Sequence, residues 1–339
     1  MTLDQAVALS LLEDLSRIGL TARLLEADPE LFELAAPLVE RARAERERAA
    51  AAGIHVLAWN DPVMPAQLLA VSDAPPVLWY RGTLECLHQP VVAIVGSRAA
   101  STVAVETARR IATDLAARGV TVVSGLARGV DSAAHRGALE TGKTIAVLGS
   151  GVDHVYPAEH VELAHRIAER GLVVSEYPPG TAPLPFHFPM RNRLISGLSR
   201  AVVVIEASDK SGSLITAGCA AEQGRDVMAV PGNVLSGRNR GGHALIRDGA
   251  KIVECADDIV VELGLAPAGA VAGAEQGSVN GSTSSEDSVL RRMDTACAYD
   301  LDALAAASGM TAPRLLPHLA DLELRGLIRR VGGGRFMRQ

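Results

Sequence analysis

The feature that most constrains this chain is a series of short, apolar, β-branched runs separated by helical stretches. They read VVAIV at 91–95, VTVVS at 120–124, TIAVL at 144–148, LVVS at 172–175, AVVVI at 201–205 and DVMAV at 226–230. Strands this apolar, with no polar alternation, are buried on both faces, and a parallel sheet covered by helices on each side provides that environment. The expected fold class is therefore α/β, a doubly wound parallel sheet.

Ligands of such sheets bind at the carboxyl ends of the strands. The segments there are GSR at 96–98, SGLARG at 124–129, GSG at 149–151, SEYPPG at 175–180 and EASDKSGS at 206–213, and all are expected to open onto one edge. Each pairs glycine with small hydroxyl or polar residues just before a helix. Backbone N–H groups and a helix dipole then point at whatever binds, an arrangement suited to phosphate. Ser97 with Arg98, Ser124 with Gly125, Ser150 with Gly151 and the adjoining Gly149, and Ser211, Gly212 and Ser213 are candidates to hold phosphate oxygens. Arg98, Arg128, Arg191, Arg193 and Lys210 would bring positive charge to the same rim, the arginines with a fork that grips phosphate bidentately. The plainer reading of each glycine–serine pair is a tight turn.

Some chemistry is disfavoured by what the loops lack. There is no GxGxxG run after the first strand and no GxxxxGK[ST] loop, so neither dinucleotide redox chemistry nor Walker-type hydrolysis is expected, and no cofactor is assigned. Ser124, His135 and Asp153 could be imagined as a catalytic set, but no nucleophile elbow supports it and no catalytic residue is assigned. Asp131 and His135, four residues apart, read instead as a structural hydrogen bond or a cap on the preceding loop. His187, flanked by Phe186 and Phe188, either packs in the core or stacks on a base.

The flanks divide the chain further. Residues 1–52 read as a helical, SAM/helix-hairpin-like module with an apolar face at Leu11, Leu12, Leu15, Ile18 and Leu20. A connecting stretch with Trp59, Pro62, Pro65, Pro75, Pro76, Trp79 and Tyr80 supplies packing anchors, and the main domain spans 53–265. Residues 266–285 are rich in alanine, glycine and serine and read as a flexible linker. From 286 to 339 the order is helix, a helix at 301–307, a third helix capped by Thr311 with Pro317 awkwardly inside it, then IRRV, GGG and RFMR as a hairpin. That is winged-helix order. Arg329, Arg330, Arg335 and Arg338 lie on the hairpin, which could touch a DNA backbone or a protein partner.

Composition sets outer limits. A net charge of −6 does not suit a protein that coats nucleic acid indiscriminately, although a local basic groove is compatible with it. The 4 cysteines are scattered without a CxxC pair, so no metal site or disulfide framework is expected and a reducing compartment fits. The apolar runs are strand-length and Met1 to Ser10 has no signal-peptide pattern, so the chain is expected to be cytoplasmic and away from membranes.

The motifs taken in order carry a resemblance. IVGSR at 94–98, SGLARGVDSAAHRGAL at 124–139, AVLGSGVDHVYP at 146–157, SEYPPG at 175–180, FPMRNRLISGLS at 188–199, EASDKSGSLITA at 206–217 and GRDVMAVPGN at 224–233 resemble the motif series of the DprA/Smf family over roughly residues 55–262. The resemblance implies an extended Rossmann-like core working as a homodimer. It also implies a protein that binds and protects single-stranded DNA and loads the RecA recombinase during natural transformation and recombination. Carried over, the DNA-binding residues are Ser97, Arg98, Ser124, Gly125, Arg128, Arg191, Asn192, Arg193, Lys210, Ser211, Gly212 and Ser213. At His160 the family more often has asparagine, a departure at a helix cap rather than in the pocket. A second reading is an enzyme like the lysine-decarboxylase-like phosphoribohydrolases, which share this Rossmann variant. Their PGGxGTxxE motif supplies a glutamate that PGNVLSGRNRGG at 231–242 lacks.

Overall fold

The computed structural model describes residues 1–12, 20–26, 28–265, 298–308, 327–331 and 335–338, and positions 315, 319, 322 and 323. It divides into two units, Met1–Val271 and Ala272–Gln339. Every one of the six apolar runs is a strand: β3 (Val91–Val95), β4 (Thr121–Ser124), β5 (Thr144–Val147), β6 (Leu172–Ser175), β7 (Ala201–Val204) and β8 (Asp226–Ala229). With β1 (His55–Ala58), β2 (Val77–Gly82) and β9 (Lys251–Ile252) they form a 9-stranded sheet in the order β1-β2-β6-β5-β4-β3-β7-β8-β9. Strands β3 to β9 pair in parallel, whereas β2 runs antiparallel to both β1 and β6. Residues read above as a connecting stretch thus supply the two antiparallel strands at one end of the sheet, β1 at its edge, with Trp79 fully buried as the expected anchor.

Alternation along each strand splits the packing between the two faces. Val92 and Ile94 of β3 point to a layer built from α6 (Thr102–Ala117), α7 (Val130–Thr141) and α12 (Ala256–Glu262). Val91, Ala93 and Val95 point to the opposite layer, with α5 (Ala66–Leu69), α9 (His187–Leu198), α10 (Ser213–Glu222) and part of α11 (Arg240–Arg247). The helices α1 (Leu3–Ser10), α2 (Leu20–Leu25), α3 (Pro29–Ala35) and α4 (Val39–Ala51) bury Val7, Leu9, Leu20, Leu31 and Ala42 in a third cluster. That cluster also contains Trp79, Leu126, Val173 and, from α8 (Val161–Arg170), Leu163 and Ile167, so the N-terminal helices share a core with the sheet. Leu15 and Ile18 lie outside the described residues.

The chain leaves β3 towards β4, β5 and β6, then crosses back to place β7, β8 and β9 on the other side of β3. The carboxyl ends of β3 and β7 therefore flank the switch point where the two windings diverge, the place an open α/β sheet offers a ligand.

The C-terminal unit contains β10 (Ala298–Tyr299), α13 (Leu301–Ser308), β11 (Ile328–Val331) and β12 (Arg335–Arg338), with the sheet order β10-β12-β11. Leu304, Leu315, Leu319, Leu322, Ile328 and Phe336 form its core, and the expected hairpin is the β11–β12 pair. Arg329 and Arg335 are exposed on it. Thr311, Pro317 and the linker 266–285 lie outside the described residues. Among the described residues no helix is long and apolar enough to cross a membrane.

Candidate nucleic-acid interface

A cleft of about 420 Å³ opens at the switch point. Its walls come from the loop after β3 (Gly96, Ser97, Arg98), the loop after β7 with the start of α10 (Ser208, Lys210 to Ser213), and the first turns of α9 (Phe188, Arg191, Asn192). Local hydrogen bonds set the shape of these walls. The amide of Ser97 donates to the Glu206 carbonyl at 2.8 Å, and the Ser97 carbonyl accepts from Val130 at 3.2 Å, which ties the β3 loop to β7 and α7. Ser101 caps α6 by accepting from the Ala104 amide at 3.2 Å, while its own amide and hydroxyl donate to the Glu206 carboxylate at 3.0 and 2.6 Å. Glu206 holds a left-handed backbone (φ 67°), a conformation costing a non-glycine residue about 1–3 kcal/mol that its neighbours must over-determine. Gly129 is required where it stands. Its φ is 74°, and a Cβ there would collide with the carbonyl oxygen of Ser97.

The floor is a buried polar layer. Asp131 accepts from the amides of Gly125 at 3.1 Å and Ala127 at 3.4 Å, so it caps the loop that precedes its helix, as expected. Burial pushes the Asp131 carboxyl up, and Arg191 and those two amides pull it back down. Arg191 is itself buried, with one guanidinium nitrogen donating to the Val147 carbonyl and the rest packed beneath Gly125, where a Cβ would strike it. Burial lowers its pKa to about 10, which leaves it charged at neutral pH. His135 donates from Nδ1 to Thr144 Oγ1 at 2.8 Å, because the Thr144 hydroxyl is already committed to the Val122 carbonyl at 2.7 Å. It makes no pair with Asp131. Ser124 donates to the Ile94 carbonyl at 2.6 Å and Asp153 accepts from the Gly180 amide at 2.9 Å, so Ser124, His135 and Asp153 serve separate partners.

The candidates named from sequence thus separate into three groups. Ser97, Arg98, Asn192, Lys210, Ser211, Gly212 and Ser213 line the cleft together, and Arg191 lies at its floor. Ser211 and Ser213 share a hydroxyl hydrogen bond of 2.7 Å at the start of α10. Arg98 and Lys210 are exposed on its two walls, and neither has an ion-pair partner among the described residues. Gly125 and Arg128 lie beside it, in a small side cleft with Tyr156 and Phe188, where Arg128 is clamped bidentately by Glu159 at 2.9 Å.

Ser124, Gly149, Ser150 and Arg193 require correction, because each is buried and turned to a structural task. Ser150 donates to the His154 carbonyl at 2.6 Å, and the Gly149 carbonyl faces the ring of His187 at 3.1 Å. Arg193 is sandwiched between Asp73 and Glu176, each at 2.7 Å. Helical positions two apart point about 200° from each other, so Arg191 and Arg193 cannot both face the cleft from α9. The five loops do not converge on one rim; those after β5 and β6 buttress it.

The aromatic candidates divide in the same way. His187 is buried and stacks on Tyr177 with ring centroids 4.0 Å apart, which is core packing. Phe188 faces the cleft, 5.5 Å from the half-exposed ring of Tyr156, and the Arg98 guanidinium carbon lies 5.7 Å from its centroid. Tyr156 was not singled out from sequence, although the AVLGSGVDHVYP motif contains it. His160, the departure noted above, provides no side-chain cap for α8; its Nδ1 donates instead to the carbonyl of Leu126, whose backbone is also left-handed (φ 58°). Among the described residues no His, Cys, Asp and Glu gather into a group that could hold a metal ion.

Comparison with known proteins adds the following. The family model described as DNA recombination-mediator protein A matches residues 55–264, and the model for the DprA winged helix domain matches residues 273–334. The chain is 48% identical to the DNA processing protein DprA of Streptococcus pneumoniae over 203 residues, covering 60% of this chain and 72% of that one. It is 40% identical to the protein Smf of Escherichia coli, covering 83% and 76%. Among solved structures, DprA from S. pneumoniae superposes with a TM-score of 0.68 at 37% identity, covering 77% of this chain and 98% of that chain. DprA from Helicobacter pylori, described for its single-stranded DNA binding mode, gives 0.57 at 29% identity, covering 62% and 95%.

Proposed function

The chain belongs to the DNA recombination-mediator protein A (DprA/Smf) family, and from that premise we propose that it binds single-stranded DNA in the cleft between β3 and β7. One observation carries the reading: Arg98 and Lys210 stand exposed on opposite walls without carboxylate partners, whereas Arg128 and Arg193 are held by acidic residues. Unpaired cations flanking hydroxyl groups and the N-terminus of α10 suit a backbone phosphate. Arg191 adds a fixed charge from below, and Ser97, Asn192, Ser211, Gly212 and Ser213 surround that phosphate. Gly125 and Arg128 flank it, while Ser124, Gly149, Ser150 and Arg193 hold the frame. The faces of Phe188 and Tyr156 suit an adjoining base, since stacking contributes about 1–3 kcal/mol per base and is tolerant of sequence.

In this reading the protein protects the strand and hands it to RecA in DNA uptake, transformation and recombination, as a cytoplasmic homodimer without catalytic chemistry. The H. pylori structure supports the strand preference, because its description concerns single-stranded DNA. Support for self-association comes from the β9 edge, where Ile252 is 54% exposed and Val261 on α12 is 78% exposed.

The test is fluorescence anisotropy of labelled single- and double-stranded oligonucleotides with wild type and with an Arg98→Ala, Lys210→Ala double variant. Preferential single-strand binding that collapses in the variant is the expected result. Binding that survives moves the DNA site to the winged helix. For the handover, RecA filament nucleation that the protein does not accelerate would remove that step from the reading.

A further inference from the structure

On the other side of the Ser97–Glu206 wall lies a second cleft, of about 330 Å³. Ser101, Val103 and Thr107 of α6 and its cap line one side, and Asn233, Ser236 and Arg238 of the loop after β8 line the other. This loop is the PGNVLSGRNRGG stretch whose missing glutamate spoke against hydrolase chemistry, and the site described above does not use it. Arg238 is exposed and donates from one terminal nitrogen to the Ala99 carbonyl at 3.0 Å, beside Arg98; it has no carboxylate partner among the described residues. Its other guanidinium N–H groups have no hydrogen-bond partner among the described residues. Glu206 also borders the cleft, but its carboxylate is taken up by the amide and hydroxyl of Ser101. Val103 at 76% and Val234 at 75% exposure leave apolar surface beside the arginine.

We infer that this second cleft, with Arg238 as its cation, holds a further phosphate and nucleotide of the same DNA strand after the strand leaves the first cleft. The inference rests on the single-stranded DNA reading above and extends the contact beyond the pocket assigned there. Three features support it together. The Ser97–Glu206 and Arg238–Ala99 hydrogen bonds join residues of the first cleft to residues of the second, so a strand crossing the Ser97–Ala99 loop passes from one to the other. The Ala99 carbonyl, which belongs to the first cleft, anchors the Arg238 guanidinium of the second, so an unpaired cation stands where the two clefts adjoin. Exposed valines beside an arginine match the mixed apolar and anionic character of a nucleotide, where every base offers an apolar face.

The experiment measures oligothymidylate binding by wild type, Arg238→Ala and Val103→Glu, with oligomers from about 4 to about 20 nucleotides. Val103 makes no contact with the first cleft, so its glutamate variant places a negative charge in the second cleft without loosening the Arg98 loop. Wild-type affinity should step up once the oligomer outgrows the first cleft. Both variants should bind the shortest oligomers as wild type does and lose the step, weakening long oligomers about three- to fivefold, the scale of one exposed charge contact. The salt slope of Arg238→Ala on long oligomers should fall by about 0.7, the value of one phosphate contact on a single strand. Long-oligomer affinity unchanged in both variants would overturn the inference and leave the first-cleft reading intact, as would equal weakening at every length. A wild type that binds no single-stranded DNA would overturn both.

Discussion

Arginines of similar appearance in the sequence do different work, and burial separates them. Arg193, with its side chain 6% exposed, neutralises Asp73 and Glu176 between α9 and the loops before β2 and after β6. Arg193→Ala should cost about 3–5 kcal/mol of stability in denaturant titration, because it takes the cation away from the buried Glu176 and the partly exposed Asp73. Arg98→Ala removes an exposed, unpaired cation and should leave stability within about 0.5 kcal/mol. The same variant should lower single-strand affinity and reduce the salt slope by about 0.7. If the two exchanged their effects, the assignment of Arg98 to the rim would fall. Sequence reasoning gathered both into one site because the RNR motif shows which residue types are present but not which way each faces on α9. Nor does a motif show that a serine hydroxyl such as Ser124 is already spent on a neighbouring carbonyl.

At the scale of elements, the six strands of the main sheet were legible because burial on both faces leaves an unbroken apolar run, the strongest short-range signal a strand can give. The β1–β2 pair was not legible. Pro75 and Pro76 sit directly before β2, and proline-rich flanks read as a connection although proline is also tolerated where a strand begins. The helix after β4 carries two consequences. Gly129→Ala should destabilise by at least about 1–2 kcal/mol through left-handed strain alone, with the clash on Ser97 added, and thermal unfolding would show it.

His135 on the same helix gives a pH dependence. Burial holds its pKa near 3, below the ordinary value of about 6.5, with nearby His160 and Arg191 pushing the same way. Between those values the unfolded chain binds the proton and the folded chain does not. The contribution is therefore fully present above about pH 6.5 and is lost as pH falls towards 3, by up to about 1.4 kcal/mol per pH unit. His135→Gln should flatten that limb in urea titrations run across the window; an unchanged limb would show that other groups control it.

The whole molecule shows why fold and site differ in how far sequence reveals them. Its α/β class and the order of its winged helix follow from patterns repeated over many residues, whereas the cleft depends on which few side chains stay unpaired after folding. The proposed self-association belongs to this scale. Ile252→Glu, on the two-residue edge strand β9, should shift the protein to monomers in sedimentation velocity while leaving the melting profile two-state. A variant that sediments as wild type would place any dimer contact elsewhere. One further consequence follows from Glu206, whose backbone and carboxylate together hold the β3 loop, the cap of α6 and the wall between two clefts. Because the frame is concentrated there, Arg98 and Lys210 carry none of it. Substitutions at those exposed positions can retune ligand choice without passing through unfolded intermediates, which makes the rim evolvable and its scaffold a fixed inheritance.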